Sequence, residues 1–112
     1  MNVQRVRRAL NDLCHAAAQL ASVCDRELPE YASVWHRIAS NAGALQQENT
    51  REDLDAFVNG ALSMFAYHPG SFSEAYVKRS DLTEQTTANE HFEDLKAQVS
   101  KVLVELRSAA AE

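Results

Sequence analysis

The sequence predicts an all-α fold, a single helical bundle of four long helices and one short helix, with residues 1–112 forming one domain. Three observations lead there. Apolar residues recur in alternating steps of three and four along most of the chain, the spacing of one helix face. Only three glycines and two prolines interrupt 112 residues, too few turn formers for a many-stranded β fold. Residues suited to opening helices stand ahead of the periodic runs.

The first run carries Val3, Val6, Leu10, Leu13, Ala17, Leu20 and Cys24. It predicts a helix from about Asn2 to Asp25, ending before Leu28-Pro29. Pro29 has a fixed φ and no amide hydrogen, so it suits the first turn of a second helix. Tyr31, Val34, Trp35, Ile38, Ala42 and Leu45 continue that helix, Gly43 weakens its end, and residues 46–49 connect. Thr50 offers a hydroxyl cap with Asp53 at the capping-box position. Leu54, Phe57, Val58, Ala61 and Phe65 form the third stripe. Gly60 within it costs roughly 1 kcal/mol against alanine, so a close helix approach is expected there.

The segment 67–71, Tyr-His-Pro-Gly-Ser, breaks the third helix. Ser71 and Glu74 have capping-box spacing and predict a short helix over Phe72–Val77. Thr87 with Glu90 is the pair expected to open the last helix, whose stripe reads Phe92, Leu95, Val99, Val102, Leu106 and Ala109. Leu103 falls beside that stripe. The narrow first and last stripes also suit a coiled-coil dimer seam, so a monomer or a homodimer is compatible, and a bundle core is the simpler explanation.

Composition narrows the function. An apolar fraction of 46% and a charged fraction of 24% are those of a globular protein. The net charge of −5 disfavours nucleic acid and anionic membranes and favours a basic protein partner. No stretch has the apolar length to cross a bilayer. Arg5, Arg7 and Arg8 resemble a basic leader, but Asn11, Asp12, His15 and Gln19 break the apolar run that an export signal needs. Cys14 and Cys24 lie about 15 Å apart along one helix, too far for a disulfide. A reduced, cytoplasmic setting is expected.

No catalytic motif emerges. The four histidines lack the i, i+4 partners of a helical zinc site, Cys14 and His15 point about 100° apart, and no Glu-x-x-His pair is present for a carboxylate-bridged metal. No cofactor motif is found either. Arg8 and His15 share a helix face and resemble the pair of small helical ribonucleases, with His as acid or base and Arg on phosphate. Two solvated side chains are the simpler account. Charge is more informative. Glu48, Glu52, Asp53 and Asp55 cluster around Arg51, and Asp81, Glu84, Glu90, Glu93 and Asp94 follow with no intervening Lys or Arg. These are the candidate partner-binding residues, with Tyr67 and His68 as an aromatic turn beside them. If the third and last helices start at the same end of the bundle, the two clusters meet.

Residues 67–77, with Gly70, Ser71, Phe72 and Glu74, then Asn89, Phe92 and Leu95, resemble a group of small helical bacterial proteins. In that group a glycine turn leads into Gly-Ser-Phe/Leu-Asn-Asp/Glu and later Asn-x-x-Phe-x-x-Leu. Ser73 stands where that group has Asn, and the match covers about a third of the chain. Small acidic proteins of this architecture are similar to immunity proteins encoded beside bacterial toxins. The resemblance implies an inhibitor of one toxin domain, often a basic nuclease. A helical adaptor or chaperone-like module and a small ribonuclease using Arg8 and His15 are the alternatives.

Overall fold

The computed structural model describes residues 1–66 and 71–112. Four α-helices follow in order: α1 (Val3–Glu27), α2 (Pro29–Gln47), α3 (Arg51–Leu62) and α4 (Leu82–Ala111). Two 3₁₀ turns, Ser63–Phe65 and Phe72–Glu74, lie between α3 and α4, and there is no strand among the described residues. The all-α bundle expected from periodicity is the fold observed.

Local chemistry sets most boundaries. The Asn2 side chain accepts the Arg5 amide at 3.2 Å and opens α1. Leu28 alone separates α1 from α2, and Pro29 sits in the first turn of α2, where its missing N–H costs nothing. Thr50 Oγ1 accepts the Asp53 amide at 3.1 Å and opens α3, as its position in the sequence predicts.

α1 lies between α2 and α4 and buries a broad face. Besides Val6, Leu10, Leu13, Ala17, Leu20 and Cys24, it buries Ala9, Ala16, Ala21 and Val23. Val3, assigned to the stripe from sequence, is 60% exposed because the helix has only just begun there. Burial of both terminal stripes within one chain accounts for their apolar seams as bundle core.

Four expectations are corrected. The last helix begins at Leu82, because Asp81 accepts the Glu84 amide at 2.9 Å. Thr87 lies inside α4 and returns its hydroxyl to the Thr83 carbonyl at 3.2 Å, so Thr87 and Glu90 open nothing. The segment Phe72–Val77 makes one 3₁₀ turn and then runs extended, since its bonds go to α4 side chains. Gly60 is exposed, and a methyl group there would meet nothing within 4 Å, so no close approach explains it. Leu103 is fully buried while Val102 is only partly so, because α1 and α3 together cover a wider face of α4 than one seam.

Substitution should rank these positions. Leu13→Ala and Leu103→Ala, both at fully buried sites, are each expected to cost about 2–5 kcal/mol in urea unfolding. Phe57→Ala, at a half-buried site, should cost less than either. Gly60→Ala should raise stability by about 0.5–1 kcal/mol, read as a higher melting temperature.

Candidate functional site

The two acidic clusters stand at opposite ends of the bundle. The Asn2 amide bonds the Ala109 carbonyl at 3.0 Å, so α4 finishes where α1 starts. Asn49, just before α3, lines a small cavity with Val3, Val6 and Leu10, so α3 also starts at that end. α4 begins at the opposite end, beside the α1–α2 junction, where Arg79 makes a two-pronged ion pair with Glu27. The two acidic clusters therefore do not meet. The shared-end arrangement considered from sequence is corrected by the antiparallel course of α3 and α4.

Glu48, Glu52 and Asp53 lie exposed around the start of α3, and half-buried Asp55 pairs with Arg51 at 3.9 Å. Asp81, Glu84, Glu90, Glu93 and Asp94 lie exposed on the first half of α4. Tyr67 and His68 are outside the described residues. Windows 25–30 and 74–96 together carry nine carboxylates against four Lys and Arg side chains. That surplus equals the whole formal charge of −5, and the remaining residues balance.

The acidic end is assembled from three elements. The extended strap after the second 3₁₀ turn, residues 75–81, lies along α4 and is held mainly by side chains. Asn89 accepts the Val77 amide at 2.7 Å and donates to the Val77 carbonyl at 2.8 Å, the pairing a neighbouring strand would give. Gln85 accepts the Arg79 amide at 2.9 Å. Lys96, 5% exposed, donates to the Ala75 carbonyl at 3.3 Å, pairs with Glu93 at 2.7 Å and sits over the Phe92 and Phe72 rings. A buried ammonium is costly unless so partnered, and Lys96 uses carbonyl, carboxylate and both ring faces.

Between the strap and the α1–α2 junction opens a cleft of about 430 Å³, lined by Glu27, Leu28, Glu30, Tyr31, Ser71, Glu74, Ala75, Tyr76 and Lys78. None of these residues is marked as part of a site by the sequence alone. Glu27 and Glu30 are distant in sequence from residues 74–78, and only the fold joins them. Lys78 and Arg79 are adjacent bases on the strap, and Arg79 is committed to Glu27. The Arg79 hydrogen bonds hold the Glu27 carboxyl below its usual range.

Other chemistry finds little support. Arg8 borders a shallow groove with Gln4, Arg7, Asn11 and Gln46, which His15 does not line. Asp12 and His15, an acid and a histidine three residues apart, are both exposed. Burial pushes the Cys24 thiol up to about 11, with Asp25 adding to the effect, so it stays protonated at neutral pH. Both cysteines are free. No group of three or more His, Cys, Asp or Glu that could hold a metal occurs among the described residues. None of their helices is long and apolar enough to cross a membrane. The chain matches no family model, no curated protein and no solved structure.

The Glu27–Arg79 pair carries a pH signature. A carboxyl whose folded pKa is lowered contributes stability above its unfolded value, near 4.5, and loses it as pH falls through the folded value. Glu27→Gln should therefore lower stability at neutral pH and flatten the acid limb of the melting-temperature profile below about pH 4.5.

Proposed function

We propose that this chain is an immunity-type inhibitor, which binds a basic toxin domain, such as a nuclease, and covers its active site. The observation that carries the reading is the gathering of the whole net charge around one end of the bundle. Carboxylates there would occupy positions where a nuclease binds phosphates. A surface with one sign of charge draws an oppositely charged partner and speeds encounter. Tyr76 and Leu82, 51% and 77% exposed at the same end, add apolar area of the kind that anchors interfaces.

The first test is the product of the open reading frame immediately upstream. Expressed alone it should arrest growth, and co-expression with this chain should restore growth and yield a one-to-one complex. No arrest, or arrest that this chain leaves untouched, would sink the proposal.

The second test asks which end binds. Reversal of Glu84, Glu90 and Asp94 to lysine should slow association with that toxin about tenfold or more at low salt. Added salt should shrink the difference, because the Debye length falls below about 8 Å above physiological ionic strength. Glu93 is left in place because its reversal would set a second ammonium beside buried Lys96 in place of its ion-pair partner. Reversal of Glu52, Asp53 and Asp55 at the far end should matter much less. Equal association of wild type and the α4 reversal at all salt concentrations would move the adaptor reading ahead.

A further inference from the structure

We infer that the cleft between the α1–α2 junction and the strap receives one arginine side chain from the basic partner, an assignment that rests on the proposed function. The cleft is half-open and about 430 Å³, room for a side chain reaching in from a protein surface. Its walls offer what a guanidinium needs. The Tyr76 ring is half exposed, and the Lys78 ammonium already stands 5.6 Å from its centroid. That face therefore attracts a cation within the molecule itself. Glu30 is exposed on the opposite wall and has no ion pair among the described residues, whereas both Glu27 oxygens are held by Arg79.

Arginine fits better than lysine for a geometric reason. A planar guanidinium stacks on a tyrosine face while its edge forks to a carboxylate, and an ammonium does one or the other. Lys78 is tethered to the strap and serves as an internal placeholder, which the incoming side chain displaces. The surrounding surplus of carboxylates provides the charge complementarity that commits this cleft to a basic protein.

The test uses an acetylated, amidated Gly-Arg-Gly peptide and its citrulline counterpart, the neutral isostere. Each is titrated into the full chain and followed by amide chemical shifts. The arginine peptide should produce saturable shifts gathered at Glu30, Tyr31 and Tyr76, and the citrulline peptide should not. Glu30→Gln and Tyr76→Ala, both at exposed positions that the core does not need, should each weaken binding about three- to fivefold. No saturable shift, or an equal response to citrulline, overturns the assignment. The two ideas fail separately. A toxin that binds Glu30→Gln and Tyr76→Ala as it binds wild type removes the cleft and leaves the inhibitor. Arginine binding by a chain that neutralises no toxin removes the inhibitor and the partner with it.

Discussion

The ring of Phe72 touches four others: Tyr31 at 5.0 Å, Trp35 at 5.2 Å, Phe92 at 5.8 Å and Phe65 at 6.1 Å between centroids. These rings come from α2, the turn after α3, and α4, so one side chain on a 3₁₀ turn joins three elements that otherwise share little surface. Burying a phenylalanine is worth about 1.5–3 kcal/mol, and favourable ring pairs add about 0.5–1.5 kcal/mol each. That anchorage lets a segment without regular secondary structure lie against the bundle. Trp35 sits in the same cluster with its indole N–H buried and without a hydrogen-bond partner among the described residues, a penalty that the packing of its ring offsets.

The strap depends on that anchor and in turn shapes the acidic end. Its backbone groups are met by Asn89, Gln85 and Lys96 on α4, side chains spaced at helical intervals along one face. The motif Ser71, Phe72, Glu74, Asn89, Phe92 and Leu95 thus has a structural meaning independent of any relationship. Phe72 and Phe92 pack together, Asn89 clasps Val77, and Leu95 is buried beneath. With the strap in place, the α1–α2 junction and the strap enclose a cleft, and the first half of α4 stands free to present carboxylates.

Much of the fold is legible in the sequence. Proline and threonine at the starts of α2 and α3 act locally, through φ or a single hydrogen bond three residues away, so their consequences can be read from neighbours in sequence. The spacing of Thr87 and Glu90 does not mark the start of α4 because Ser/Thr-x-x-Glu patterns recur inside helices, and Asp81, six residues earlier, already caps the helix by accepting the Glu84 amide. Spacing alone does not separate Leu103 from Val102, because both fit a period near 3.6. Which one faces inward depends on where α1 and α3 lie.

The functional end was less legible for a related reason. The acidic residues were visible in the sequence, and their exposure follows from the cost of desolvating unpaired carboxylates. Whether Asp53 and Asp94 share a surface depends on the relative direction of α3 and α4, which no local pattern encodes. By itself, the sequence determined helix identity, the Thr50 cap, the apolar faces and the acidic balance, because these arise from interactions over three or four residues or from composition. Only tertiary structure decided that the clusters stand apart, that Glu27 and Glu30 meet Tyr76 and Lys78, and that Lys96 could be buried. Each of those depends on contacts between residues that only packing brings together.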